Sequence, residues 1–165
     1  MSTIGRRARE LVVPQFALDK RSNVHGIPHW VRVANNGRRI CALHQLNYKV
    51  TEWFAYLHDS CRLNDYQDPE HGHRAAVLAV ELREYINLTD KHFDWLLTAL
   101  QGHSDGHTAG HDMHVLACWD ADRLDLPRVG IIPDPNRMCT EYGILAAESK
   151  QFWEQERLHP VLGKE

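Results

Sequence analysis

Residues 56–62 read Tyr56-Leu57-His58-Asp59-Ser60-Cys61-Arg62, and they close an apolar run in which Leu43, Leu46, Val50, Phe54 and Leu57 recur at helical spacing. That stripe predicts one amphipathic helix ending near Ser60. An imidazole and a carboxylate side by side at its end are expensive to hide without partners. Adjacent helical residues point about 100° apart, so His58 and Asp59 can flank one cation beside the helix end. Neutral imidazole together with carboxylate suits borderline divalent metals. Taken alone, the dipeptide reads more readily as a surface His next to a helix-terminal Asp.

The same periodicity extends in both directions. Asp68-Pro69-Glu70 reads as N-cap, N1 proline and first-turn acid, opening a helix to about Ile86. Thr89 with Asp90 starts another, with Phe93, Leu96, Leu97 and Leu100 inward and Gly102 as its stop. Further helices are expected over 113–124 and 140–153. An earlier one covers 29–33 and its neighbours and ends at Asn35-Asn36-Gly37. Arg6, Arg7 and Arg9 read as the solvated face of an N-terminal helix, because the apolar run after them is too short for a signal peptide or a span. Residues 129–135, rich in Pro and β-branched side chains, read as an extended connection. Trp30, Trp53, Trp95 and Trp119 fall at core positions. Alternating β patterns are nearly missing, so the expected fold class is an all-α, single-domain helical bundle spanning 1–165.

Whole-chain properties narrow the function. At 165 residues the chain is long enough to bury a real core. A net charge of −3 argues against an extended nucleic-acid surface. Cys41, Cys61, Cys118 and Cys139 form no Cys-x-x-Cys, which disfavours a thiolate zinc site or a disulfide framework and suits a reducing cytoplasm. No pattern encodes an oligomeric state. The anomaly is histidine, with twelve in the chain and several between His103 and His114.

Upstream of His58 stands Val24-His25-Gly26-Ile27-Pro28-His29-Trp30-Val31-Arg32-Val33, and downstream Trp119-Asp120-Ala121-Asp122-Arg123-Leu124-Asp125. An early His before an Arg-Val, then His-Asp, then a late Asp preceded by Ala resembles the HD superfamily of metal-dependent phosphohydrolases. The resemblance covers about residues 22 to 130 and implies an HD-type helical fold. It implies His29, His58, Asp59 and Asp122 as ligands of a shared metal, with His25 competing for the first position and Asp120 for the last. His71-Gly72-His73-Arg74-Ala75-Ala76 and the later Gly102-His103-Ser104-Asp105-Gly106 resemble the extra elements of two-metal HD proteins. That likeness, shared with the bacterial diadenosine-tetraphosphate hydrolases of the superfamily, implies His71 (or His73) and His103 around a second metal, with Asp59 as the bridge. The implied cofactor is one or two divalent ions per chain (Mn, Fe, Co, Ni, Zn or Mg). The implied partner is a small phosphorylated substrate of the nucleotide kind.

Hydrolysis of a phosphoester at neutral pH needs an activated water and charge neutralisation on the phosphoryl oxygens, both of which divalent ions provide. Arg62, one turn beyond His58, is the candidate for gripping phosphate; its bland role is an ion pair with Asp65 or Asp68. Asp65 is a candidate general acid for the leaving group, though a loop acid near a helix start is more often a cap. Arg123 and Arg128 are further candidates for substrate contact, Arg123 being as readily a structural ion pair. His107, His111 and His114 are expected on a pliable loop with partial pocket contact, given Gly102, Gly106 and Gly110. Two other readings stand beside hydrolysis: a di-iron HD-type oxygenase using the same six ligands, and a non-catalytic nucleotide- or metal-binding regulatory module.

Overall fold

The computed structural model describes residues 2–149. Among the described residues seven α-helices follow in order: α1 Thr3–Val12, α2 Ile27–His44, α3 Lys49–Leu57, α4 His71–Glu81, α5 Asp90–Gly102, α6 Met113–Arg123 and α7 Glu141–Glu148. Four short 3-10 turns sit between them, and no strand occurs among the described residues. The all-α expectation holds. Residues 150–153 of the expected C-terminal helix, and His159, lie outside the described residues.

α3 is the centre of the bundle. α1, α2, α5 and α6 all pack against it, α2 also crosses α6, and α4 pairs with α5. An axial helix must be apolar all round, and every residue from Val50 to Leu57 is buried, including Thr51 and Glu52. Trp30, Trp53, Phe54, Trp119, Leu96 and Leu100 fill the space around it. Trp95 is only half-buried, on the outer side of α5.

Several boundaries differ from the expected ones, each for a local reason. The stripe from Leu43 to Leu57 belongs to two helices. α2 ends at His44 because Gln45 turns left-handed at φ 54°, its N–H closing on Cys41 O, and α3 restarts at Lys49. Leu43 is accordingly exposed. Asn35-Asn36-Gly37 does not end a helix; α2 runs through it. Asn36 is buried and donates from Nδ2 to Ala121 O at 3.1 Å, and Gly37 lies where a Cβ would come 2.8 Å from that of Thr51. These small and amide side chains allow close packing, which outweighs their turn propensity. Asp68 does not cap α4: its carboxylate takes the Leu63 N–H and the Arg74 guanidinium, and Glu70 occupies the cap position without a side-chain bond. α4 stops at Glu81, and a 3-10 turn over Arg83–Tyr85 carries the chain on to Ile86. Gly102 is the last residue of α5, placed where a Cβ would lie 2.9 Å from the Trp119 ring.

The start of α5 at Thr89 reads as expected, and α6 and α7 are capped as well. Thr89 accepts from His92 N at the start of α5, Asp112 from His114 N at the start of α6, and Thr140 from Gly143 N at the start of α7. His114 thereby belongs to the first turn of α6, outside the loop assigned to it from sequence. No helix among the described residues is long and apolar enough to cross a membrane.

Candidate metal centre

Five helices deliver six side chains to one buried point. His29 comes from the first turn of α2, His58 and Asp59 from the end of α3, His71 from the first residue of α4, His103 from just past α5, and Asp122 from the last turn of α6. His29 and His58 are fully buried, Asp59 and His71 almost so, while the Asp122 side chain keeps 19% of its surface exposed. Ligand atoms of His29, His58 and Asp59 all lie within 4.8 Å of one another, and so do those of Asp59, His71 and His103.

Asp59 joins the two groups with separate oxygens. Its Oδ2 is 3.4 Å from His29 Nε2 and 3.5 Å from His58 Nε2, whereas its Oδ1 is 3.4 Å from His71 Nε2. Asp122 Oδ1 closes the first group, 3.4 Å from His29 Nε2 and 3.7 Å from His58 Nε2. Nitrogens and oxygens bound about 2.1 Å from one cation stand roughly 3.0 Å apart at right angles and about 3.4 Å apart at tetrahedral angles. The observed spacings therefore match edges of a coordination shell.

Main-chain geometry sets the tautomers. Three of the four imidazoles fold back on the carbonyl three residues earlier: His58 Nδ1 on Ala55 O at 3.1 Å, His103 Nδ1 on Leu100 O at 2.8 Å, and His71 Nδ1 on Asp68 O. A carbonyl can only accept, so each Nδ1 carries the proton and each Nε2 presents a lone pair. The fourth, His29, lies with Nδ1 2.6 Å from Asp125 Oδ2. Asp125 in turn accepts from Arg32 through Nε at 2.6 Å and Nη2 at 3.0 Å, forming a buried triad behind the ring.

The outcome is an electrostatic conflict that protein atoms do not resolve. His71 Nε2 and His103 Nε2 face each other at 2.7 Å. Burial pushes the pKa of His71 down and that of His103 down to about 4, the second helped by nearby His58. Both rings are thus neutral at pH 7 and two lone pairs confront one another. In the first group, burial and Arg128 oppose a proton on His29, but hydrogen bonds to Asp122, Asp125 and Asp59 raise its pKa to about 9. Burial alone would raise Asp59 and Asp122; His58 and His29 beside them hold both well below the usual carboxylate range. Imidazole lone pairs and ionised carboxylates on one point fit a cation of borderline hardness.

Glycine 72 makes the second group possible. A Cβ there would sit 2.5 Å from Leu100 O and 3.2 Å from His103 Cε1, so only glycine lets α4 approach the end of α5 closely enough for His71 to meet His103.

The remaining sequence candidates fall in distinct places. His73 is exposed on α4, turned away from the centre. Asp120 points to the opposite side of α6 and accepts from Cys139 N, Thr140 N and Thr140 Oγ1, anchoring the start of α7. Arg62 donates from Nε to Asp59 Oδ1 at 2.7 Å, not to Asp65 or Asp68, and its Nη1 is buried without an acceptor. His25 is buried at the rim, its Nδ1 2.8 Å from Asp65 Oδ1. Arg123 is engaged by His107 O, Arg137 O and Cys139 Sγ. Arg128 donates to Val24 O and Asp125 O. His107 and His111 are exposed beside Trp119, and His114 stacks on Trp95 at 4.5 Å. Sequence reasoning missed Asp125 and Arg32 as the support of His29. The available signal was position: Asp125 lies three residues past Asp122, and Arg32 three past His29.

No protein-family model and no curated protein matches the sequence. Among solved structures the chain is similar to the crystal structure of a predicted HD superfamily hydrolase from an uncultured Thermotogales bacterium. The TM-score is 0.69 and the identity 21%, covering 94% of this chain and 87% of that chain. The helical arrangement that gathers these six side chains is therefore an HD-type fold.

Proposed function

We propose that the chain is a metal-dependent phosphohydrolase acting on a small organic phosphate, with nucleotides as the class favoured by the HD resemblance. The observation that carries this reading is the pair of imidazole lone pairs at 2.7 Å beside a carboxylate that faces both groups. His29, His58, Asp59 and Asp122 would hold one divalent ion, and Asp59, His71 and His103 a second. Bound there, such ions supply Lewis acidity, lowering the pKa of water and neutralising phosphoryl charge.

The chain's own residues do the rest. Arg62 reaches over Asp59 and keeps a buried N–H group without an acceptor, which suits a phosphoryl oxygen. Asp65 fixes His25 through Nδ1, and burial with the positive charge of Arg62 and Arg128 keeps the ring neutral, so Nε2 presents a lone pair that would accept a proton from the attacking water. In this reading Asp65 positions the imidazole. Arg128 and Arg123 shape the site through their carbonyl contacts, Arg128 also placing positive charge near His25. The four unpaired cysteines suit a reducing compartment such as the cytoplasm.

The test is a screen of phosphorylated metabolites, including mononucleotides and dinucleoside polyphosphates, with Mn, Fe, Co, Ni, Zn or Mg. Metal-dependent phosphate release that disappears in Asp59→Asn and falls by about 100-fold or more in His25→Ala is expected. Inactivity with every metal would overturn the reading. Iron content with substrate-dependent oxygen uptake would replace it with oxidative chemistry.

A further inference from the structure

A cavity of about 390 Å³ opens next to the centre, and His103 forms part of its wall. Two segments enclose it: the loop leaving α5, and the chain that follows α6 through Leu126, Ile131, Ile132 and Met138. Ile131 and Ile132 lie outside any helix and are 52% and 61% exposed. Two successive large apolar residues held in solvent on a cavity wall mark a surface built to be covered by a ligand. The wall is also braced. Arg123 donates to His107 O on one segment and to Arg137 O and Cys139 Sγ on the other, at 2.7, 2.9 and 3.1 Å. Ordering both segments in advance lowers the cost of binding there.

We infer that this cavity is the subsite for the non-transferred half of the substrate, and that it selects organic phosphates whose body is an uncharged ring or alkyl group. The inference rests on the phosphohydrolase reading only for the word substrate. Its occupant follows from continuity and chemistry. His103 belongs both to the second group, through Nε2, and to the cavity wall, so the ester substituent of a phosphate held at the centre would extend past His103 into the cavity. That substituent meets Leu126, Ile131, Ile132 and Met138 on one side, while Ser104, Arg123, Asp134 and Arg137 complete the wall. Hydroxyls turned toward that apolar side would lose water without replacement hydrogen bonds, so a body hydroxylated all round is disfavoured. A ring or alkyl body would gain from burial against the apolar side, and Ser104, Asp134 and the two arginines offer polar contacts for an edge such as that of a nucleobase.

Binding of two phosphonates that cannot be hydrolysed tests this. On the Mn-loaded protein, calorimetric titration should show benzylphosphonate binding about tenfold more tightly than methylphosphonate. Ile132→Asp, and independently Ile131→Asp, should cut that advantage to below about twofold. Manganese stoichiometry and methylphosphonate affinity should be unchanged, since both side chains are exposed. Equal affinities in the wild type, absence of binding by either phosphonate, or an advantage that survives in both variants would each overturn the subsite. The outcome is separable from the hydrolase reading. A benzylphosphonate preference without turnover of any phosphate ester leaves the subsite standing and removes the hydrolase. Turnover without the preference does the reverse.

Discussion

His29 and Asp125 are separated by 96 residues, yet Nδ1 of one lies 2.6 Å from Oδ2 of the other inside the bundle. Arg32 grips the same carboxylate from α2, so one acid orients an imidazole and neutralises a buried guanidinium. Asp125→Asn keeps the shape and removes the charge. Metal affinity of the first group should fall by roughly 10- to 100-fold. Stability should fall by about 3–5 kcal/mol, because Arg32 is left buried without its counter-ion. Metal titration and urea denaturation of the variant measure the two effects, and unchanged metal affinity would show that Asp125 serves the fold alone.

Gly72→Ala should separate the two groups. The added methyl meets the Leu100 carbonyl, which is backbone and cannot swing aside. Displacing α4 pulls His71 from His103 while His29, His58 and Asp122 stay in place. Metal analysis is expected to drop from two ions per chain to one. Two tightly held ions in the variant would contradict this account of the glycine.

Asp120 and Asp122 lie two residues apart on α6 and should behave oppositely. Asp122→Ala should strip the first group of metal with a small effect on the fold. Asp120→Ala should leave metal content intact but destabilise the protein by about 1–3 kcal/mol, because the Cys139 and Thr140 N–H groups lose their acceptor. Metal content and thermal melting of the two variants decide it, and metal loss in Asp120→Ala would reverse the assignment.

The metal-free protein should bind its first ion with a strong pH dependence. His29 has its pKa raised from 6.5 to about 9. Its imidazolium therefore contributes stability to the metal-free fold that is fully present below about pH 6.5 and lost as pH rises through about 9. A metal needs the neutral ring, so affinity should rise roughly tenfold per pH unit up to that value. His71 and His103 are already neutral, so the second ion should show a far flatter profile from pH 7 to 9. Identical profiles for both ions would remove the basis for distinguishing the groups.

Gln45 offers a test away from the centre. It holds the left-handed position that ends α2, at φ 54°, where glycine is better tolerated. Gln45→Gly should raise stability by a few tenths to about 1 kcal/mol. A loss in a denaturant melt would mean that the Gln45 side chain matters to the cap.

Much of this was legible in the sequence because the relevant signals are local. Caps such as Thr89 and Thr140 act on residues two or three away, and helical periodicity is a property of one segment. The His-Asp dipeptide and the acid of Ala121-Asp122 could be read in order along the chain. Less legible was anything decided by a partner far off in sequence. Asn35-Asn36-Gly37 has the composition of a turn, but contacts with Ala121 and Thr51 make it a packed helical segment. Arg62 has acids nearby at 65 and 68, but pairs with Asp59 because Arg74 and His25 have taken those carboxylates. Beyond its position after Asp122, nothing in the sequence singles out Asp125, since only the folded bundle brings it behind His29.

The main-chain anchoring of three imidazoles has a consequence for redesign. His58, His71 and His103 take their orientation from carbonyls of Ala55, Asp68 and Leu100, and a carbonyl cannot be exchanged by mutation. Their donor strength is fixed by the fold. His29 alone leans on a side chain, so electron donation to a bound metal can be adjusted at one address, Asp125. Anyone seeking to shift the acidity of a metal-held water, or to trade one metal for another without touching a ligand, has a single dial to turn.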